Sequence, residues 1–349
     1  MRRPSNVRSA RWLGQVWLVV LAFSLAASAQ RVELEMWSWT SLGGIRYEAI
    51  ERLVERFNEQ HDDIRINLTQ KNTAQDELFP AIAAGVGPDL FNGSSSWIGA
   101  YSRVGIVADL DKYIERDEEG KSFYDDIHPG VLPAIRHGGS VRALPYNLEL
   151  YGIYANPIAL DEAGVQSPGP GWNWSDLSEL GGKLAAVDND GNFTRAAFGM
   201  ASVLSTTWTF LGSAGGTLFD PEGRRSALLS DAAVEAFTFM QDLVRSNRLG
   251  PMGGEARTMF IDGRAGFFID GSQRISLFRE QGMTAFDVLT PVKGPRGHKH
   301  SAIGFIALFV TASGDPAKEE AAWRAAKFLT SSESQAYYNA AVLAFPARL

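Results

Sequence analysis

A single carboxylate, Glu149, lies among three tyrosines in the segment LPYNLELYGIYAN, which spans residues 144–156. The neighbouring rings belong to Tyr146, Tyr151 and Tyr154. An acid in such a setting can donate a proton in catalysis, accept hydrogen bonds from a bound ligand, or face solvent from a strand. A glycosidase needs a second carboxylate at roughly 5–10 Å, and Glu149 has no acid two residues away on its strand. We therefore favour binding over catalysis, and keep an exported glycan hydrolase that uses Glu149 as the alternative.

Other groups of residues that could carry chemistry give weaker signals. The sequence has no G-x-S-x-G motif and no cysteine, which excludes a thiol nucleophile and disulfides. His298 and His300 offer two imidazoles, but in the basic loop KGPRGHKH, where solvated side chains are the simpler interpretation. The segment 188–191 begins like a calcium loop but has its glycine too early, and Tyr337-Tyr338 fits helix packing better than iron binding. We predict neither a metal nor a cofactor.

Indole rings occur where an open α/β sheet usually binds its ligand. Trp39, Trp97 and Trp208 each fall at a strand end or beside a turn rich in glycine and serine. Aromatic faces pack well on the apolar faces of pyranose rings, while carboxylates and hydroxyls bind the ring hydroxyls. The alternative is that these indoles fill a core, which is what we expect of Trp323 from its helical spacing with Phe328.

The first 29 residues resemble a secretory signal peptide. Four arginines precede an apolar run over 16–27, and Ala27-Ser28-Ala29 is a small-residue cleavage site before Gln30. The run is too short to span a bilayer comfortably, and no lipid-anchoring cysteine follows it. We expect an exported protein that begins near Gln30 and is retained in a periplasm, with full secretion as the alternative.

The charge of the chain argues against several classes of partner. Removing the four arginines of the leader from the 33 basic residues leaves 29 against 40 acidic residues, a net charge of about −11. Such a surface repels nucleic acid and anionic lipid, so neither is expected as a partner. With 45% hydrophobic residues, the remaining chain of roughly 320 residues can build more than one core.

Strands and helices are predicted to alternate along the chain. Alternating apolar residues indicate strands at 32–36 and 64–68, and helical spacing indicates a helix between them from Gly44 to Gln60. Further helices should begin at the capping residues Asn156, Ser175, Ser230 and Asp315. The helix after Ser230 carries an apolar stripe that we expect to be buried: Val234, Phe237, Met240, Leu243 and Val244. The pattern predicts two α/β lobes.

Several short segments, in a fixed order, then identify a family. They are WSWT, IAAGVGPDLF, RALPYNLELYGIYANPIALDEAGV, WNWSDL, GGTLFD, MFIDGRAGFFIDGS and AAWRAAKFLTSSESQAYYNAAVLAFPAR. Together they resemble the extracellular solute-binding proteins of the carbohydrate type, the maltose-binding-like receptors of ABC importers. Members of the family usually continue for some dozens of residues after the last segment, whereas this sequence ends at Leu349, so we expect a short variant or a truncated frame.

The resemblance implies an α/β periplasmic-binding-protein fold of type II, with the ligand cleft between two lobes. We expect lobe 1 to contain residues 30–147 and 302–349, and lobe 2 to contain 148–301. The expected function is that of a monomeric binding component, without catalysis or cofactor, that closes on a sugar or oligosaccharide and delivers it to permease subunits of the inner membrane. A receptor for a non-sugar solute is a further alternative, because the same fold serves many solutes.

Matched segment by segment, the resemblance also implies a set of ligand-binding residues. They are Trp39, Ser41, Ser96, Trp97, Tyr146, Asn147, Glu149, Trp208, Gly215, Asp270, Gly271 and Gln273. Glu149 falls where the family places an acid that accepts hydrogen bonds from sugar hydroxyls. Gln273 replaces an aromatic ring that is common at its position.

Overall fold

The computed structural model describes residues 31–39, 44–71, 74–221, 223–246 and 249–349. The predicted signal peptide and the predicted ligand residue Ser41 lie outside the described residues. Within the described part of the chain, none of the helices combines the length and the apolar character needed to cross a lipid bilayer.

Strands and helices alternate as predicted over most of the chain. The strands are β1 (Val32–Trp39), β2 (Ile64–Lys71), β3 (Leu90–Ser94), β4 (Arg136–His137), β5 (Ser140–Val141), β6 (Leu144–Pro145), β7 (Glu149–Ala155), β8 (Ala186–Val187), β9 (Phe193–Met200), β10 (Leu249–Met252), β11 (Ala265–Gly271), β12 (Asp287–Leu289), β13 (Ile303–Gly304) and β14 (Ile306–Val310). The helices are α1 (Gly44–Gln60), α2 (Ala74–Ala83), α3 (Ile98–Arg103), α4 (Asp111–Arg116), α5 (Glu118–Asp125), α6 (Pro157–Glu162), α7 (Trp174–Leu184), α8 (Val203–Ser213), α9 (Asp231–Arg245), α10 (Gly253–Ile261), α11 (Arg274–Glu280), α12 (Pro316–Leu329) and α13 (Ser332–Val342). A short 3-10 helix, Ser95–Trp97, follows β3.

The first sheet has the strand order β2-β1-β3-β14-β6. Strands β1, β2 and β3 run parallel, and β14 pairs antiparallel with both β3 and β6. Leu34 and Met36 of β1 are fully buried, as their alternation with polar residues predicted. They share one core with the apolar face of α1 and with Trp323 of α12. The prediction that Trp323 is a core residue is confirmed.

The second sheet has the order β10-β9-β11-β7-β12, with β8 added to β9 and β13 added to β7. Strands β9, β10 and β11 run parallel, and β7 pairs antiparallel with β11. Every residue of β11 is buried, which explains its nearly continuous apolar sequence AGFFIDG. Phe198 and Phe267 lie in the core on one side of this sheet, and Phe260 and Phe268 lie in the core on the other side.

The chain passes between the two sheets beside Glu149. It leaves the first sheet after β6 and enters the second at β7, and it returns between β13, which pairs with β7, and β14, which pairs with β3. The predicted long strand SAIGFIALFV is therefore two short strands, separated at Phe305, that belong to different sheets. Two sheets with separate cores give the predicted two-lobed α/β architecture.

The capping predictions are correct except at one helix. Asn156 accepts hydrogen bonds from the N–H groups of Ile158 and Ala159, and Asp315 caps α12 in the same way. Helix α7 begins two residues earlier than predicted, because Asn173 rather than Ser175 is its cap. The side chain of Asn173 accepts from the N–H groups of Ser175 and Asp176, and Asp176 accepts in return from the N–H of Asn173, which completes a capping box.

The predicted buried stripe of α9 is wrong although its cap, Ser230, is confirmed. Val234, Phe237 and Val244 are 53%, 38% and 55% exposed, and of the predicted stripe only Leu243 is fully buried. The face that packs is formed by Ala233, Ala236 and Leu243, with Met240 partly buried against the same core. Alanines one position before Val234 and Phe237 are therefore buried in their place, while Leu243 and Met240 belong to both the predicted and the observed face. The small alanine side chains allow α9 to pack closely on the lobe. The sequence pattern did not predict that these alanines are buried, because the larger apolar residues at neighbouring positions give the stronger helical periodicity.

Candidate functional site

A cavity of about 400 Å³ lies where the chain passes between the two sheets. Its lining comes from the ends of β1 and β3, from both crossing segments, and from helices of the second lobe. The lining residues are Trp39, Ser94, Ser95, Ser96, Glu149, Tyr151, Leu204, Trp208, Gln273, Arg274, Ile303, Gly304, Phe305 and Ile306. Five predicted ligand residues, Trp39, Ser96, Glu149, Trp208 and Gln273, therefore meet in one cavity.

The first lobe contributes an indole and a cluster of hydroxyls. Trp39 ends β1, and its backbone N–H donates to Asn92 Oδ1 at 2.6 Å, which anchors the main chain at this strand end. Trp97 packs beneath this ring, with the ring centroids 5.1 Å apart, and does not itself line the cavity. Ser94 and Ser96 lie at the carboxyl end of β3, with their Oγ atoms 2.8 Å apart. The position of Trp97 requires a glycine at 93, because a Cβ there would lie 2.2 Å from the Trp97 ring.

Glu149 is ion-paired within the protein. Its Oε1 accepts a hydrogen bond from Arg46 Nη1 of α1 at 3.1 Å, and the two residues are only 7% and 5% exposed. Arg46 had not been predicted, although a charged residue on the apolar face of α1 was a visible signal. The pair holds one carboxylate oxygen and joins the first lobe to the start of β7. Within the described part of the chain, Oε2 of Glu149 has no hydrogen-bond partner.

The second lobe contributes Tyr151, Trp208 and Gln273. Burial, followed by the charges of Glu149 and Asp270, raises the pKa of Tyr151 to about 12, so this phenol stays protonated at neutral pH. The Nε1 of Trp208 and the Oε1 of Gln273 are buried, and neither has a hydrogen-bond partner among the described residues. Orphaned polar atoms of this kind are uncommon and mark places where a ligand or water completes the bonding.

Arg274 is the second charged residue of the lining and was also missed by the sequence analysis. Its Nε donates to Asp270 Oδ2 at 2.8 Å, and its side chain is 14% exposed. Asp270 is itself 2% exposed and does not line the cavity. Its other oxygen accepts from the N–H of Gly271. Asp270 and Gly271 thus support Arg274 rather than face the cavity themselves. The signal for Arg274 was its position directly after the predicted residue Gln273.

Tyr146 and Asn147 are not brought to the cavity. Tyr146 is fully buried in the core of the first lobe, where its ring lies 5.6 Å from that of Tyr338. Asn147 is also fully buried, and its Oδ1 accepts from the N–H of Ile306 at 2.9 Å. Asn147 thereby joins the two crossing segments. Tyr146 and Asn147 are therefore buried inside the first lobe and not in the wall of the cavity.

Gly215 and the two histidines of the basic loop lie away from the main cavity. Gly215 has a positive φ of 80°, and a Cβ there would lie 3.2 Å from the His298 ring. His300 packs against Gly212 and lines a neighbouring cavity of about 450 Å³ that shares Trp208 and Ile303 with the first. Burial lowers the pKa of His300. Among the described residues, no group of three or more metal-binding side chains occurs.

The fold and the cavity define a class of protein. Two α/β lobes that are joined by crossing segments, with a cavity at the crossing, form the architecture of a two-lobed binding protein. Residues 43–336 match the family described as bacterial extracellular solute-binding protein, and the chain belongs to this family. The prediction made from the ordered sequence segments is confirmed.

Relatives in this family include sugar-binding proteins. The chain is 24% identical over 301 residues to the maltotriose-binding protein of Pyrococcus abyssi (strain GE5 / Orsay), an alignment that covers 84% of this chain but only 62% of that protein. An ABC substrate-binding protein from Listeria monocytogenes in complex with cycloalternan superimposes with a TM-score of 0.77 at 21% identity, covering 91% of this chain and 80% of that one. The GacH receptor of Streptomyces glaucescens, solved unliganded and with acarbose, gives a TM-score of 0.75 at 19% identity over the same shares.

Proposed function

We propose that this chain is the solute-binding component of an ABC importer and that it binds a sugar or oligosaccharide in the cavity at the crossing. The observation that carries the proposal is the composition of the lining. Indoles from both lobes, Trp39 and Trp208, accompany serine hydroxyls, a phenol and an ion-paired carboxylate. Apolar ring faces and polar ring edges of a pyranose need this mixture of partners. The ligands of the relatives, maltotriose and cycloalternan, support the same class of solute.

Binding would work by closure of the two lobes. A ligand that contacts Trp39 and Trp208 together gains its full interaction energy only when the lobes meet, so it selects the closed state. The two crossing segments are the natural hinge, because each consists of a few residues between short strands of different sheets. We place the lobe boundaries at 147/148 and 301/302, close to these crossings.

We further infer that the chain does not transform its ligand. A glycosidase acid must be protonated and must share its cleft with a second carboxylate in ionised form. Glu149 is ion-paired with Arg46, and among the described residues no second carboxylate lines the cavity. The remaining elements of the proposal are a leader peptide over 1–29, a periplasmic location, a monomeric state, and transfer of the ligand to permease subunits.

Isothermal titration calorimetry of the chain from residue 30 onward, with mono- and oligosaccharides, tests this proposal. We expect at least one sugar to bind, and we expect Trp39→Ala and Trp208→Ala each to weaken its binding at least tenfold, about 1.4 kcal/mol. Trp37→Ala is the matched control, because Trp37 lies on the same strand as Trp39 but does not line the cavity. If no sugar binds, or if both cavity variants keep affinities within twofold of the wild type, the proposal is wrong. Release of a product during the titration would favour the hydrolase.

A further inference from the structure

The charges around the cavity are balanced at one end and unbalanced at the other. Glu149 and Arg274 are the charged side chains of the lining within the described residues. At the Glu149 end, the buried partner Arg46 cancels the carboxylate charge. At the Arg274 end, Asp270 cancels one positive charge, but a second arginine, Arg257, lies on α10. Helix α10 packs against the helix of Arg274 through the rings of Phe260 and Phe278, whose centroids are 5.4 Å apart. Burial, and after it the charge of Arg274, lowers the pKa of Arg257.

Among the described residues, Arg257 forms no ion pair, and its Nε is buried without a hydrogen-bond partner. The charge of Asp270 does act on Arg257, but Arg274 already engages that carboxylate at 2.8 Å. One carboxylate and two guanidinium groups leave a local charge of +1 behind this wall of the cavity. Water screens such a charge weakly at buried positions.

The guanidinium of Arg274 has unused donors at this wall. Of its nitrogens, Nε alone has a hydrogen-bond partner among the described residues. The two terminal nitrogens are not buried, and Arg274 lines the cavity. A ligand in the cavity can therefore reach them. A guanidinium edge with two N–H groups matches the geometry of a carboxylate, and such charge-assisted bonds are stronger than neutral ones.

We propose that Arg274 determines specificity for an acidic sugar, a uronic acid or an oligosaccharide that contains one. This inference rests on the sugar-binding function proposed above and narrows its ligand class. The carboxylate would bind at Arg274, and the ring hydroxyls would bind at the opposite, electrically balanced end near Glu149 and the serines. A single negative charge neutralises the local +1, whereas a phosphate dianion would leave an uncompensated buried charge, so we favour a carboxylate over a phosphate ester.

Calorimetry with paired probes tests the inference on the whole exported chain. The pairs differ in carboxylate content: glucose with glucuronate, galactose with galacturonate, and α-1,4-linked galactotriose with trigalacturonate. Glucose 6-phosphate is added as the phosphate probe. We expect the acidic member of at least one pair to bind at least tenfold more tightly than its neutral partner, because a hydrogen bond to a charged group contributes roughly ten- to a hundredfold in affinity.

Substitutions of Arg274 then assign the preference to one side chain. Arg274→Gln should weaken uronate binding at least tenfold more than neutral-sugar binding, and Arg274→Lys should keep part of the preference. Arg279→Gln, on the exposed side of the same helix, is the matched control and should change neither affinity. Because Arg274→Gln leaves Asp270 without its partner, the double variant Asp270→Asn/Arg274→Gln removes both charges and keeps the comparison valid if the single variant unfolds.

Each outcome separates this inference from the function on which it rests. Neutral sugars that bind as tightly as every uronate, or a uronate preference that survives Arg274→Gln, would overturn the role of Arg274 while leaving a sugar receptor in place. Tightest binding of glucose 6-phosphate would overturn the carboxylate assignment. If none of the sugars binds, both this inference and the proposed function fail.

Discussion

The ion pair between Arg46 and Glu149 gives the sharpest prediction about stability. Both side chains are less than one-tenth exposed, and their charged atoms are 3.1 Å apart. Glu149→Gln preserves the shape of the side chain but leaves the guanidinium buried without a countercharge. Removing one partner of a buried pair typically costs about 3–5 kcal/mol, because the remaining charge has lost both water and its partner. We expect a loss of about this size in the free energy of unfolding.

Urea unfolding followed by tryptophan fluorescence measures the loss. The double variant Arg46→Met/Glu149→Leu should recover most of it, because an apolar pair of similar volume has no desolvated charge. Glu55→Gln on the same helix is the control. The side chain of Glu55 is 51% exposed and that of its partner Arg52 is 67% exposed. The loss in the free energy of unfolding for Glu55→Gln should therefore stay below about 1 kcal/mol. If Glu149→Gln costs no more than Glu55→Gln, or if the double variant is as unstable as the single one, the account of this pair is wrong.

Two further predictions concern packing and pH. Gly294→Ala should lower the melting temperature, because a Cβ at this position would lie 1.9 Å from the backbone oxygen of Ser213. Gly254→Ala is the control and should not lower the melting temperature, because a Cβ there would have no atom within 4 Å. Burial alone would raise the pKa of Glu319, but hydrogen bonds, including one from Lys112, outweigh it and lower the pKa. A lowered carboxyl pKa stabilises the fold above the unfolded pKa, and this effect is lost as pH falls through the folded pKa. Glu319→Gln should therefore melt below the wild type at pH 7, and the difference in melting temperature should shrink as the pH is lowered below the ordinary pKa of a glutamate.

The sequence predicted the elements better than their faces. Helix α1 has the predicted bounds, and its buried residues, Ile50 and Phe57 among them, recur at the helical spacing on which the prediction depended. Helix α9 also follows its predicted cap, but three residues of its predicted buried stripe are exposed. Caps are local interactions between residues a few positions apart, so a short segment specifies them. The face that a helix buries depends on the shape of what it packs against, which no local pattern contains.

In the candidate site, too, local sequence predicts some residues, whereas tertiary packing alone brings in others. Trp39 ends β1 and could be placed from the rule that ligands bind at strand ends in an open α/β sheet. Trp208 lies within α8, away from a strand end, and it was the resemblance to the family that pointed to it. The partner of Glu149 could not, since Arg46 is 103 residues away in the sequence and reaches it only through tertiary packing. Tyr146 and Glu149 are three residues apart, yet one is a core residue and the other lines the cavity. Aromatic context alone did not distinguish them.

The location of the ligand is tested most directly by a crystal structure of the chain from residue 30 onward, grown with the sugar that most raises its melting temperature. We predict that a sugar ring contacts Trp39 and Trp208 and that one of its hydroxyls binds Glu149 Oε2. If the sugar is acidic, its carboxylate should bind Arg274. A sugar bound outside this cavity, or bound there without contact to either indole, would contradict this prediction.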